Sequence, residues 1–198
     1  MQFETKRIYH IYNQGNNRQN IFFSRDNYLF FLEKIRVYIL PYADILAWCL
    51  MPNHFHLMVL VNEVVLPSGS ATSSRTPTGS TQNLNKSIGI MLASYTRAIN
   101  KQQKRSGSLF RHKTKAECVN CTDGITPSFL ISQGITYLNH AEPEKQYPQI
   151  CFDYIHNNPV KAWLVNDNTD WEFSSARDYF VSRKGTLINK ALCREYIR

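Results

Sequence analysis

The stretch from Ala47 to Val61 constrains this chain more than any other. It runs Ala-Trp-Cys-Leu-Met, turns at Pro52-Asn53, and resumes as His-Phe-His-Leu-Met-Val-Leu-Val. Proline fixes φ and has no N–H for a ladder, so it marks the turn. Two strands, Ile45 to Met51 and His54 to Val61, are therefore expected as a hairpin-connected antiparallel pair. Side chains alternate across a strand, which puts His54 and His56 on one face, about 6–7 Å apart at Cα, with Phe55 on the other. Two imidazoles so placed are a good start for holding a divalent metal ion. Two ordinary polar-face residues of a half-buried strand fit the same short pattern, so the remaining donors must come from elsewhere in the chain.

Around this hairpin the other elements follow from periodicity. Lys6 to Asn13 alternates Ile8, His10 and Tyr12 against Arg7, Tyr9 and Ile11 and reads as a first strand. It ends in the polar turn Asn13-Gln-Gly-Asn-Asn-Arg18, where Gly15 is able to take a positive φ. Ser24 is the expected N-cap of a helix that Pro41 stops. Leu84 to Lys104 carries Ile88, Met91, Leu92, Tyr95 and Ile99 on one stripe, a long helix ended by Gly107. Leu109 to Ala116 is expected as a fourth strand, Phe129 to Asn139 as a short helix, and Gln149 to Asn158 as a helix closed by Pro159. Trp171 to Tyr179 reads as a helical segment that packs back, and a basic tail ends the segment 171–198. Pro67 to Thr81 is rich in Ser, Thr, Gly and Pro and reads as a flexible loop. The whole, 1–198, is read as a single α+β domain, and no internal repeat is present.

The formal charge of +8 points to a polyanionic partner, nucleic acid first, although a basic surface also serves solubility. The 11 Tyr and 11 Phe offer many faces for bases to stack on, beyond those the core needs. No apolar run reaches the length of a membrane span, and the N-terminal residues lack a signal-peptide apolar region. Five scattered cysteines, an odd number, are expected as reduced thiols in a bacterial cytoplasm. Cys118 and Cys121 form a Cys-x-x-Cys, but no second pair stands at a zinc-ribbon spacing.

Tyr154 and Asn158 lie four apart on the expected late helix and so share a face. Taken with His54 and His56, they make a three-ligand metal site of two imidazoles and one amide oxygen, with open positions. A phosphate oxygen at an open position is polarised there, and a tyrosine hydroxyl one helical turn away is placed to attack the phosphorus.

These residues resemble a known family. Leu50-Met-Pro-Asn-His-Phe-His-Leu-Met, followed by Tyr154-Ile-His-Asn-Asn-Pro-Val-Lys-Ala162, is similar to the HUH single-tyrosine transposases of insertion sequences. Within them it most resembles the REP-associated tyrosine transposases, and Tyr9 to Arg18 and Trp171 to Ala176 are similar to that group's ends. The chain departs from the pattern at Gly107-Ser-Leu-Phe-Arg-His, at Trp163 where the family commonly has glycine, and in the long 67–81 segment.

The resemblance implies a ferredoxin-like or RRM-like α/β sandwich, an antiparallel sheet of four to five strands backed by helices. It implies His54, His56 and Asn158 as ligands of Mg²⁺ or Mn²⁺, and Tyr154 as the nucleophile that acts with the two histidines. The implied activity is transposition: single-stranded DNA is cleaved beside a hairpin, leaving a 5′-phosphotyrosine and a free 3′-OH, and is then rejoined. Such enzymes read hairpins and short guide sequences. By charge and position, Gln14, Asn16, Arg18, Arg97, Lys104, Arg105, Arg111 and Lys113 are the candidate DNA contacts. A non-cutting nucleic-acid module of the same fold and a phosphoesterase using activated water are the alternatives. Monomer and homodimer both stay open, with Tyr154 acting in cis or supplied by the partner subunit.

Overall fold

The computed structural model describes residues 2–62, 80–121, 129–132, 135–138, 143–181 and 183–197. Its centre is an antiparallel sheet of β1 (Ile8–Gln14), β2 (Ala43–Met51), β3 (His54–Val61) and β4 (Lys115–Cys118), in the order β2-β3-β1-β4. Helix α1 (Arg25–Tyr38) connects β1 to β2, and α2 (Ser80–Gln102) precedes β4. This is the ferredoxin-like βαββαβ arrangement, and the four-stranded α+β sandwich matches the expectation.

Alternation along the strands divides the core. Tyr9, Ile11, Phe55, Leu57 and Val59 face α1 and α2, where Phe31, Ile35, Met91 and Tyr95 bury against them. Tyr95 is fully buried and its hydroxyl donates to the Ile21 carbonyl at 2.8 Å, so its polar end is satisfied. Ile8, Met58 and Leu60 face the opposite way, toward Cys151, Phe152 and Ile155 of α3 (Pro143–Lys161). A bulge in β2 between Ile45 and Ala47 puts both Leu46 and Ala47 on this second face. One face of the sheet is thus closed by two helices, and the other is covered in part by α3 and the last helix.

Several expected boundaries move. Gly15 has φ −56°, and the positive φ values in that turn belong to Asn17 and Arg18. Glycine is needed at position 15 because a Cβ would collide with the Gln19 carbonyl. The fourth strand was expected from Leu109 but pairs as a ladder only over Lys115–Cys118. Phe110 bridges Gly15, and the chain then bows outward, with the Asn13 amide donating to the Arg111 carbonyl (3.1 Å) and Thr114 Oγ1 (2.9 Å) in place of ladder bonds. Ser80 and Thr81 belong to α2 rather than to the expected loop, whose remaining residues lie outside those described.

The short helix expected over Phe129 to Asn139 is instead a two-stranded hairpin, β5 (Phe129–Ser132) and β6 (Ile135–Leu138), joined by two residues. Its Ile, Phe, Tyr and Thr residues favour strands, and four-residue apolar runs do not distinguish the two states by period. Helix α3 is longer than expected and runs through Pro159 to Lys161. It ends at Trp163, which adopts φ +58° while Leu164 N–H donates to the Pro159 carbonyl and Trp163 N–H to that of Val160, both 3.0 Å. This is a Schellman cap, in which the residue after the helix takes the left-handed conformation. Residues 171–175 are not helical; the helix there is α4 (Ala176–Phe180), and the tail contains α5 (Lys190–Tyr196). Cys118 and Cys121 are joined by a disulfide, against the expectation of reduced thiols, while Cys49, Cys151 and Cys193 are free and buried. The four-residue span of a Cys-x-x-Cys brings the two sulfurs within bonding reach wherever the chain turns between them. Among the described residues, no helix is long and apolar enough to cross a membrane.

Candidate active site

β3 places His54 and His56 on the face that α3 covers, with their rings 4.9 Å apart and nearly perpendicular. Helix α3 is anchored there by Cys151, Phe152 and Ile155. The stripe beside that anchor carries Tyr154 and Asn158, so burial of the apolar stripe turns these two toward the histidines. The Asn158 amide spans both rings: Oδ1 lies 3.2 Å from His54 Nε2 and Nδ2 lies 3.3 Å from His56 Nε2. The Tyr154 ring stands edge-on to His56, with centroids 5.4 Å apart.

A hydrogen bond behind the ring fixes the His54 tautomer, and the amide as placed sets that of His56. Asn53 Oδ1 lies 2.5 Å from His54 Nδ1 and only accepts, so Nδ1–H is the donor and Nε2 carries a lone pair. The Asn158 amide donates to His56 Nε2, so His56 carries its proton on Nδ1 and donates to His10 Nε2 at 2.9 Å. Burial pushes the basicity of both rings down. His54 is held below its ordinary value by burial, with the Asn158 contact acting the other way. His56 lies well below it, through burial and then the neighbouring His10 and His54. His10 is lowered to about 4, by burial above all. Two neutral imidazoles thus direct Nε2 lone pairs at one amide.

That amide has one donor group for two lone pairs. As placed, its oxygen faces the His54 Nε2 lone pair, two acceptors without a proton between them; turned over, the amide donates to His54 and accepts from His56 Nε2–H, with His10 donating to His56 Nδ1. A cation between the oxygen and the two Nε2 lone pairs satisfies the first of these arrangements. Ligands about 2.1 Å from an octahedral ion stand ~3 Å from one another, close to the separations here. The residues therefore fit a hard divalent ion held by two imidazoles and an amide oxygen. Among the described residues, no three His, Cys, Asp or Glu side chains come together to hold a metal, so an amide is the third donor available.

A cavity of about 390 Å³ opens in front of these groups. Tyr154, His54 and His56 form one side of it, and Gln14, Arg111, Lys113 and Lys115 form another. Three cations facing the histidines suit a phosphate-bearing ligand. Tyr154 is 41% exposed, and the Lys161 ammonium, two turns along α3, stands 5.4 Å from its ring centroid. Tyr12 donates to Glu117 Oε1 at 2.6 Å, and burial together with that carboxylate pushes its phenol up to about 12, so it stays a donor.

Of the expected DNA contacts, Gln14, Arg111 and Lys113 line this cavity. Asn16 and Arg18 occupy the turn after β1; the Arg18 carbonyl accepts from Asn53, the residue that orients His54. Lys104 and Arg105 follow the end of α2, and Arg105 is engaged with Gln19 Oε1 at 2.7 Å. Arg97 is exposed on α2, the helix that packs on the sheet face away from the histidines.

No protein-family profile matches the chain, and no curated protein does. Among solved structures, that of a REP-associated tyrosine transposase bound to a REP hairpin is similar, with a TM-score of 0.51 and 16% identity. The match covers 96% of this chain and 91% of that one. The two share a fold.

Within that fold, sequence reasoning missed His10, Lys115 and Glu117. Alternation puts His10 on the same strand face as Tyr12, but its contact with His56 depends on the β1–β3 register, in which His56 opposes Tyr12 and His10 is its diagonal neighbour. Lys115 lies inside the expected strand in phase with Arg111 and Lys113, and Glu117 lies one residue past its expected end. The alternation Lys115, Glu117 against Ala116, Cys118 is the signal that identifies them once the strand is correctly placed.

Proposed function

We propose that this protein is a metal-dependent single-tyrosine transposase that cleaves and rejoins single-stranded DNA beside a hairpin. The observation that carries the reading is the convergence of His54, His56 and Asn158 on one point, with the Tyr154 hydroxyl group on the next turn of the same helix. The shared fold with a transposase that binds a hairpin supports the nucleic-acid class of the substrate.

In this reading His54, His56 and Asn158 hold Mg²⁺ or Mn²⁺, which supplies Lewis-acid polarisation of the phosphate. Asn53 and His10 keep the two Nε2 lone pairs pointed at the ion's position. Arg111, Lys113 and Lys115 hold the DNA backbone in the adjoining cavity. Tyr154 Oη attacks phosphorus: the Oη–P bond forms, the P–O3′ bond breaks, the phenol proton leaves and O3′ gains one. The product is a 5′-phosphotyrosine and a free 3′-OH, and attack by a 3′-OH reverses the step to join a new strand.

The test is incubation of the protein with hairpin-bearing single-stranded DNA and Mn²⁺ or Mg²⁺, followed by denaturing electrophoresis. A protein–DNA adduct is expected with wild type and none with Tyr154→Phe. Adduct formation by Tyr154→Phe refutes the nucleophile. Turnover without an adduct selects a water-activating phosphoesterase, and salt-sensitive binding without cleavage under either metal selects a binding module.

A further inference from the structure

Tyr12, His56 and Tyr154 also line a second cavity, of about 330 Å³, that adjoins the cationic one. The β1–β4 register pairs Tyr12 with Lys115 and His10 with Glu117, so two residues along β4 the lining changes from a cation to a carboxylate. The remaining lining is His10 of β1 and, from α3, Tyr147, Ile150 and Cys151. Tyr147 and Ile150 are 37% and 50% exposed, an aromatic and an aliphatic surface that folding leaves open beside the site. Glu117 accepts the Tyr12 hydroxyl at Oε1, which orients the carboxylate, and no other hydrogen bond or ion pair to it is made among the described residues.

A carboxylate next to a phosphate cavity repels the backbone of a nucleic acid. It is useful only toward a hydrogen-bond donor, and on a nucleotide the donors are on the base edge and the sugar. A tyrosine beside it supplies a stacking face. The volume lies at the small end for ligand sites, enough for one ring system and too small for a large ligand.

We propose that this second cavity receives the nucleobase next to the phosphate held at Tyr154, and that Glu117 reads its donor edge. The inference rests on the nucleic-acid reading above. Guanine presents N1–H and an N2 amino group side by side, so it offers a carboxylate two donors. Adenine and cytosine offer one amino group beside an acceptor. Thymine offers one N3–H between two carbonyls, which the carboxylate repels. The order of preference is guanine first and thymine last.

The probes are the four 2′-deoxynucleoside 5′-monophosphates, which need no knowledge of the target sequence. Each is titrated by calorimetry or by NMR of the Tyr147 ring, into wild type, Glu117→Gln, Tyr12→Phe and Tyr147→Ala. In wild type, deoxyguanylate is expected to bind about ten-fold more tightly than thymidylate. Glu117→Gln is expected to remove that difference by weakening deoxyguanylate without weakening thymidylate; Tyr12→Phe is expected to keep it. Tyr147→Ala is expected to weaken all four by about ten-fold through lost stacking. Equal affinity for the four nucleotides in wild type overturns the proposal. So does a Glu117→Gln effect equal on all four, or a Tyr12→Phe protein that loses the preference as fully as Glu117→Gln. None of these readouts needs cleavage, so a missing Tyr154 adduct refutes the transposase reading without deciding the base pocket.

Discussion

His10 lies outside the His54-Phe55-His56 triplet, yet it decides which nitrogen of His56 faces Asn158. Its Nε2 accepts the Nδ1 proton at 2.9 Å, and both rings are buried, so no solvent molecule substitutes cheaply for it. Replacing His10 by alanine leaves that proton unpaired and frees the ring to turn. Loss of such an outer partner typically weakens metal binding by about 10–100-fold, and Mn²⁺ titration of His10→Ala is expected to fall in that range. His10→Gln, which restores an acceptor, is expected to recover part of the loss. An unchanged Mn²⁺ affinity in His10→Ala removes His10 from the site. Trp163 poses the opposite problem, a side chain that contributes little where it stands. It is 93% exposed and holds φ +58° at the cap of α3. A left-handed residue with a Cβ costs about 1–2 kcal/mol, and glycine avoids that cost at the expense of some unfolded-state entropy. Trp163→Gly is therefore expected to stabilise the protein by about 1 kcal/mol, raising the melting temperature by ~2–4 °C for a chain of this size. A lower melting temperature would show that the indole packs against something that matters to the fold.

Helix α3 carries both site residues of the late motif, and its placement depends on a buried polar contact on its other side. His156 Nε2 lies 2.7 Å from Ser175 Oγ, while Ser175 also bridges the Trp48 backbone. His156 Nδ1 is buried without a partner among the described residues, so an unprotonated Nδ1 is the comfortable form. Burial accordingly lowers the ring to about 3, with Asp178 pulling weakly the other way. The folded value lies below the ordinary histidine value, so the unfolded chain takes up a proton first as pH falls. The neutral ring's contribution is complete above about pH 6.5 and drains away between there and pH 3. Between pH 7 and pH 5 the loss from this residue is about 2 kcal/mol, and urea unfolding at the two pH values is expected to show it. His156→Leu is expected to shrink the pH dependence by a similar amount; an unchanged dependence assigns it to other groups. At this scale the sequence was legible wherever period and length agreed. The β2–β3 hairpin, α1 and most of α2 could be read because long runs and a Pro52 turn leave one assignment. The β5–β6 strands could not, because four-residue segments of mostly apolar residues fit either state. The start of β4 could not, because the Asn13 side chain replaces ladder bonds that no pattern encodes. Pro159 was read as a stop, but a proline in the last turn removes only one bond, and α3 tolerates it. The site's first members were legible because His54 and His56 share a strand face and Tyr154 and Asn158 a helix face; its outer members needed register between strands distant in sequence.

The whole molecule has two unlike sheet faces. One face is sealed by α1 and α2 around the larger aromatic core. The other is covered by α3 only in part, and the uncovered end is where His54, Tyr154, Arg111, Lys113 and Lys115 meet around one cavity. Basic composition alone does not tell a functional cation from a solubilising one, whereas position on these two faces does. Arg97 is exposed on α2, behind the sealed face, and Arg111 and Lys113 border the open end. Binding of single-stranded hairpin DNA is expected to weaken linearly in log affinity against log salt, each neutralised phosphate adding ~0.7 to the slope. Arg111→Ala and Lys113→Ala are each expected to lower that slope by about 0.7–0.9 and to weaken binding uniformly across sequences. Arg97→Ala is expected to leave both slope and affinity as they are. Equal losses in Arg97→Ala and Arg111→Ala would mean that DNA wraps past the cavity onto the helical face, and the binding surface would have to be redrawn around α2.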